Sequence, residues 1–286
     1  MCETDGVRVR RPRVAVVGHV EWVQFARVEH VPRAGEVVHA REVFAEPAGG
    51  GAVAAVQLAR LAGGCVLYTA LGEDQDGAAA LQRLAELGVE VKASLAAAPT
   101  RRAVTLLDAM GERTITTFGE RLEPFAGSDA AAAIAEADAV YFTAGDGDAL
   151  RGARAATPVL VASPRARHAL GQGIALDALV LSGEDEIEQR EAARAEGEAE
   201  VVVYTKGSRG GSFRRRSGES GRWAAASPPR EPADSYGCGD SFAAGLTFAL
   251  GSGMVLADAL ALAARCGAVC RTGRGPYERQ LGAADL

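Results

Sequence analysis

Asp234, Ser235, Tyr236, Gly237, Cys238, Gly239 and Asp240 stand in one run just ahead of the apolar stretch from Phe242 to Leu250. That arrangement has the parts of a phosphoryl-transfer site. Two glycines let the backbone turn so that several N–H groups point at one anion, and the positive end of the helix expected next adds to the same field. Asp240 is placed where an attacking hydroxyl would arrive, and a carboxylate there can accept its proton. The amides of Gly237, Cys238 and Gly239 would meanwhile stabilise the charge building on the transferred group. The plainer alternative is a helix capped by Asp240 after a glycine turn. A cap needs only one Ser, Thr, Asn or Asp, so it leaves the Gly-x-Gly pair and Asp234, six positions back, without a reason.

Such a turn must be held by a rigid frame, and the chain alternates strand and helix patterns as a parallel sheet covered on both faces requires. Strands are expected at Cys65–Leu71, Ala139–Thr143, Val159–Ala162, Ala178–Leu181 and Val201–Thr205. Helices are expected at Ala52–Leu61, Ala78–Leu87, Asp129–Ala137, Glu184–Ala195 and Ala257–Val269. Ligands of such sheets bind beyond the carboxyl ends of the strands, and the glycines and acids singled out here follow strands. Two segments break the alternation. Residues 19–47 and 101–118 read as short strands joined by turns without helices.

Composition excludes several classes. With 286 residues, 48% of them hydrophobic, the chain can bury a full core, and no linker long enough to part it into independent domains is visible, so residues 1–286 read as one domain. A formal net charge of -6 argues against a nucleic-acid partner. The run Arg214-Arg215-Arg216 reads as a solvated hairpin rather than a phosphate clamp. No apolar stretch reaches membrane-span length, and Met1–Gly6 lacks the apolar region of a signal peptide, so a cytoplasmic protein without a membrane partner is expected. Five cysteines, Cys2, Cys65, Cys238, Cys266 and Cys270, form neither a disulfide framework nor a zinc spacing. Cys266 and Cys270 read as core. His19, His30, His39 and His168 share no metal-type spacing and read as surface or lid residues.

The run Asp234–Asp240, followed by Ser241-Phe242, resembles the second signature of the PfkB family of ribokinase-like kinases, Asp-Thr-Thr-Gly-Ala-Gly-Asp before an aromatic. Other segments match that family in order: Val14–Gly18 its opening strand, Val31–Glu36 its Leu-Pro-x-x-Gly-Glu turn, and Leu71–Gly77 its Val-Gly-x-Asp-x-x-Gly segment. Gly111-Glu112-Arg113-Thr114 matches a recurrent turn, and Thr205–Gly211 falls where the family carries Thr-x-Gly-x-x-Gly. The resemblance implies a three-layer α/β/α sandwich with a mostly parallel central sheet, and a small β-lid built from about residues 19–47 and 101–118. It implies ATP as phosphoryl donor, with Thr205, Gly207 and Gly210 near its phosphates and Cys266-Gly267 beside its adenine; close helix packing explains small residues there equally well. Magnesium is implied by ATP chemistry, with Asp185 in Ser182-Gly183-Glu184-Asp185 standing where the family has Asn-x-x-Glu. Asp234 is implied to contact a monovalent cation such as K⁺. The lid can also pair two copies into a homodimer.

The substrate side departs from the family. Where its members open with Gly-x-x-Asn-x-Asp, Gly18–Val23 puts Glu21 at the Asn position and Val23 at the Asp position; where they have Gly-Gly-x-x-x-Asn, Ala48-Gly49-Gly50-Gly51-Ala52-Val53 ends in Val53. Two hydroxyl-gripping side chains are thus replaced by apolar ones, and a site built on hydrogen bonds does not tolerate such a loss quietly. The expectation is an ATP-dependent kinase acting on a hydroxymethyl group of a small carbohydrate or nucleoside-like alcohol. Its pocket would be made by Trp22, Val23, Gly49, Gly50 and Val53, with Glu21 as polar contact and Asp240 as base. The alternative is an ATP-binding regulator that keeps the fold without sugar kinase activity. A dehydrogenase fits poorly, because no Gly-x-Gly-x-x-Gly follows the first strand.

Overall fold

Val14–Val17, here β1, is four small or branched apolar residues that are all buried, the mark of a strand covered on both faces. The structure, a computed structural model, describes residues 10–124, 132 and 134–286. Cys2, the start Met1–Gly6 and part of the helix expected over Asp129–Ala137 lie outside the described residues. Parallel partners flank β1: β4 (Cys65–Gly72) on one side and β8 (Ala139–Phe142) on the other. Beyond β4 lies β5 (Val89–Ala96); beyond β8 follow β9 (Val159–Ala162), β10 (Leu176–Ser182) and β11 (Ala199–Thr205), all parallel. An antiparallel hairpin, β12 (Gly211–Arg215) and β13 (Ser220–Trp223), completes the edge, so the order is β13-β12-β11-β10-β9-β8-β1-β4-β5.

Successive side chains of β1 feed opposite cores, as the pleat requires. Val14 and Val16 join one cluster with α1 (Gly50–Ala62), α2 (Gln75–Glu86), α5 (Cys238–Gly251) and α6 (Leu256–Cys270). Ala15 and Val17 join a second cluster with α3 (Gly147–Ala156) and α4 (Glu186–Ala192). Helix, sheet and helix thus form the three layers expected. The helix expected over Glu184–Ala195 is only α4, seven residues long; the chain beyond it turns back to enter β11. No helix among the described residues is long and apolar enough to cross a membrane. The three arginines at 214–216 sit on the edge hairpin, where Arg214 pairs with Glu196, Arg215 with Glu219 and Arg216 with Glu200.

A second sheet has the order β3-β2-β6-β7, made of β2 (Glu21–Arg27), β3 (Glu42–Ala48), β6 (Arg102–Leu107) and β7 (Arg113–Phe118). Alternation on β2 and β6 buries Val23, Phe25, Ala103, Thr105 and Leu107, while β7 is exposed along its whole length. This is the lid. Phe25 stacks on Phe44 of the neighbouring lid strand at 4.8 Å and fastens the lid to the main body by meeting Tyr236 edge-on at 4.8 Å. The turn between β6 and β7 is fastened too, because Gly111 O accepts from Ser235 N at 2.8 Å and from Arg271 Nη1 at 2.8 Å.

Candidate active site

The turn before α5 is built as its glycines suggest. Gly237, the N-cap, has φ +79°, and a Cβ there would press on Val53 Cγ1 at 3.0 Å, so backbone angle and space both select glycine. Ser241 N is bonded to Gly237 O at 2.8 Å; the amides ahead of it belong to the first turn, which has no carbonyl of its own helix to meet. Gly239 has nothing within 4 Å of where a side chain would begin, and Gly237, Gly239 and Asp240 line one cavity. The helix starts with a field for an anion.

Asp240 opens on the same space. Its Oδ1 accepts from Arg165 Nη1 at 2.7 Å, and its Oδ2 has no hydrogen-bond partner among the described residues. Arg165 follows β9 through Ser163-Pro164, and its Nε lies 3.4 Å from Glu188 Oε1; Glu188 in turn accepts from Ser182 N at 2.8 Å. Asp240 and then Glu188 hold the guanidinium firmly charged, against the cost of its burial.

A second helix points at the same place. Gly49 (φ +89°) caps α1, and a Cβ on Gly50 would lie 2.8 Å from Arg165 Nη1 and 3.1 Å from Asp240 Oδ1. Only glycine lets the start of α1 come that near. Gly18, at the end of β1, would touch Gly51 Cα at 2.6 Å and Thr143 Cγ2 at 2.7 Å if it carried a side chain. The site therefore lies where the chain leaves β1 in one direction and β8 in the other, the switch point at which open sheets bind ligands.

These elements enclose a cavity of about 220 Å³, room for a molecule smaller than the drug-sized ligands of pockets of about 300–1,000 Å³. Gly49 and Gly50 come from α1, Gly237, Gly239 and Asp240 from α5 and its cap, His19 and Arg165 from loops after β1 and β9, Arg113 and Ile115 from the lid, and Tyr236 forms a wall. His19 is buried, and its Nε2 accepts from Gly50 N at 3.4 Å. That bond assigns the proton to Nδ1, which is buried without a partner among the described residues. Burial, then Arg121, Arg165 and Arg101, push the imidazole well below its usual range, so it is neutral. Glu21 stands behind it, Oε1 3.9 Å from His19 Nε2 and 3.3 Å from Arg101 Nη1. Burial raises this carboxyl, with Arg101 the chief opposing influence.

A family profile described as pfkB family carbohydrate kinase matches residues 11–169 and 173–281. The chain belongs to that family. A ribokinase from Dictyostelium discoideum is 29% identical over 108 residues, which is 37% of this chain and 34% of that protein. Ribokinase from Giardia lamblia superposes with a TM-score of 0.77 at 18% identity, covering 96% of this chain and 97% of its own. Arabidopsis thaliana ribokinase, complexed with ribose and ATP, superposes with a TM-score of 0.75 at 20% identity, covering 96% and 97%. The fold is ribokinase-like.

For this pfkB-family protein, the structure brings Gly49, Gly50, Gly237, Gly239 and Asp240 together around one cavity. Cys238, which begins α5, is half-buried in the same turn. It does not bring Val23 and Val53 there: both are wholly buried, Val23 on the inner face of the lid and Val53 beneath Gly237. Trp22 packs against the core and Glu21 lies behind His19 rather than in the wall. The losses of the family's hydroxyl grips are therefore closed over, and the pocket is polar. His19 is a correction, being a buried cavity residue and not a surface one. His30, His39 and His168 are exposed. Arg165, Arg113, Tyr236 and Glu188 received no role from sequence. Arg165 could have been found by asking which charged side chain follows the end of each central strand.

Among the residues implied for the nucleotide, Thr205 donates to Leu181 O at 3.3 Å, Gly207 is exposed with free space around it, and Gly210 is buried where a Cβ would lie 2.2 Å from Trp223 O. Cys266 is a correction. It is fully buried, its Sγ 2.7 Å from where Gly245 would carry a side chain, so its thiol packs α6 on α5. Gly267 is half-buried beside Cys238 O, 3.2 Å from where its own Cβ would be. Asp185 caps α4 with Oδ1, accepting from Ile187 N at 2.9 Å and Glu188 N at 3.1 Å, and is exposed. No cluster of three His, Cys, Asp or Glu suited to a metal occurs among the described residues; one exposed carboxylate fits a magnesium ion held mainly by phosphates and water. Asp234 does not fit a monovalent cation. Its Oδ1 accepts from Tyr236 N at 3.0 Å, and its Oδ2 from Gly275 N at 2.7 Å and Arg27 Nη2 at 3.3 Å. Burial pushes this carboxyl up, opposed by the two amides and then by Arg27.

Proposed function

We propose that the protein is an ATP-dependent kinase that phosphorylates a hydroxymethyl group of a small carbohydrate or nucleoside-like molecule, working inside the cell. One observation carries this: Asp240, whose Oδ1 is held by Arg165 and whose Oδ2 has no hydrogen-bond partner among the described residues, lines a cavity together with Gly237 and Gly239 at the start of α5. The acceptor hydroxyl donates to Oδ2 and passes its proton there as its oxygen bonds to the γ-phosphorus, while the bond from that phosphorus to the bridging oxygen of ADP breaks. Amides of Gly237, Cys238 and Gly239, with Arg165, balance the charge on the moving group. Oδ1, held by Arg165, keeps the carboxylate aimed. The lid shuts out water, which would otherwise compete as acceptor. Magnesium on the nucleotide supplies charge neutralisation for the phosphates, and Asp185 is the carboxylate of this chain available to its water shell. The nucleotide itself would lie along Thr205, Gly207, Gly210 and Gly267. The ribose and ATP held by the Arabidopsis structure support this pairing of ligands.

Asp240→Asn keeps the shape and removes the base, so kcat for ADP release is expected to fall about 100- to 10,000-fold with ATP binding intact. An unchanged kcat removes Asp240 from the mechanism. The Arg165–Asp240 ion pair favours a second reading, an ATP-binding regulator, because Oδ1 of the proposed base is already engaged by a guanidinium. ATP-induced thermal stabilisation without phosphate transfer to any alcohol in a broad panel would establish it.

A further inference from the structure

Arg113 differs from the other arginines of the site. Arg165 is held between Asp240 and Glu188, Arg121 is paired with Glu123, and Arg101 with Glu21. Arg113 has no carboxylate partner among the described residues; its neighbour Glu112 is taken by Arg271 at 3.0 Å. Its Nη1 is steadied by Ser235 O at 3.2 Å and Ser235 Oγ at 3.4 Å, which leaves most of the guanidinium fork free at the cavity wall. Arg113, Ile115 and Thr117 share one face of β7, and Arg101 Nη2 donates to Thr117 Oγ1 at 2.9 Å.

The cavity has a positive balance. Asp240 is the one carboxylate in its described wall and is already paired, whereas two guanidiniums and the starts of α1 and α5 face inward. The family's acid for sugar hydroxyls is replaced by Val23, which is sealed in the core. A neutral polyol filling this space would strip water from Arg113 and return no charge to it, which is costly. An acid would return a charge and match the planar fork with two parallel bonds.

We infer that the acceptor alcohol carries an anionic group, carboxylate or phosphate, that Arg113 of the lid grips while Asp240 receives the hydroxyl proton. The inference rests on the kinase reading and names the substrate class for it. ADP release is measured with hexonates, with sugar monophosphates and with the neutral sugars and polyols from which they derive, for the natural protein, Arg113→Gln and Arg113→Lys. Thermal shift with each acceptor alone, without ATP, gives a second readout. One acidic series is expected to exceed its neutral parents in kcat/KM by about 10- to 100-fold, the factor a charge-assisted hydrogen bond provides. Arg113→Gln raises the acceptor KM, leaves the ATP KM unchanged and abolishes both the preference and the acceptor-induced shift; Arg113→Lys retains part of each. The series that responds separates carboxylate from phosphate. Equal rates on neutral parents, or a Gln variant that changes the ATP KM instead, overturn the inference and leave the kinase reading standing. No transfer to any acceptor, with ATP still bound, overturns both.

Discussion

His19 is the residue whose charge state the fold constrains most plainly. Buried beneath the start of α1, with Arg121, Arg165 and Arg101 acting on it, it stays neutral in the folded protein at pH values where the unfolded chain binds a proton. The unfolded state therefore holds more protons below about pH 6.5, and stability must fall as pH drops through that range toward the depressed folded value. Melting temperature followed from about pH 8 to pH 5 should show this decline, and His19→Asn should flatten it. Glu21 contributes the opposite slope above 4.5, since burial raises its carboxyl. The difference between the two proteins isolates His19, and identical profiles would mean that the imidazole takes up its proton as readily in the fold as in the unfolded chain. The motif residues around Asp240 were legible because their chemistry depends on neighbours in the chain. His19, Arg113 and Arg165 were not, since isolated residues scattered over 147 positions of sequence gain a role only when the fold brings their segments together.

Elements carry the next level of order. The segment Leu71–Gly77 matches a family motif, yet it does not line the cavity. Its role is structural: Asp74 caps α2, with Oδ1 accepting from Gly77 N and Thr100 Oγ1, each at 2.8 Å, and Oδ2 accepting from Thr100 N at 2.7 Å. The acid thus ties the start of α2 to the strand that enters the lid. Asp74→Ala is expected to cost about 1–2 kcal/mol of stability in urea unfolding, with kcat of the folded enzyme retained. A loss of kcat at unchanged stability would place Asp74 in the chemistry instead. Most helix and strand positions were readable from their apolar patterns, including the exposed edge hairpin with its three arginines, but β5 and α3 were not among them. The end of α4 was not, because charged residues with good helix propensity do not show where the chain must leave a helix to enter β11.

Across the whole molecule, lid and body are joined by ion pairs that the chain order does not announce. Arg27 of β2 reaches Asp234, Arg271 after α6 reaches Glu112, and Arg274 reaches Glu42 while its guanidinium lies 4.4 Å over the Phe44 ring. Arg27 supplies the positive charge beside Asp234 that a monovalent cation would otherwise bring. Initial rates should therefore be the same in potassium and in choline chloride at equal ionic strength. A several-fold drop in choline would show that an ion binds at this turn despite the guanidinium.

By itself the sequence determined the parallel sheet covered on both faces, the short strands within 19–47 and 101–118 and the glycine turn before Asp240, because each follows from local periodicity, backbone freedom or the spacing of adjacent groups, while the family resemblance implied that those strands form a lid. Only the tertiary structure decided what faces the acceptor. Val23 and Val53 lie at positions that suggested a pocket, but packing closed them into the core, and Arg113 came forward from the lid strand β7, Arg165 and His19 from the segments after β9 and β1. Which side of a strand or turn meets a cavity depends on what packs against its other side, and that is a property of the assembled chain.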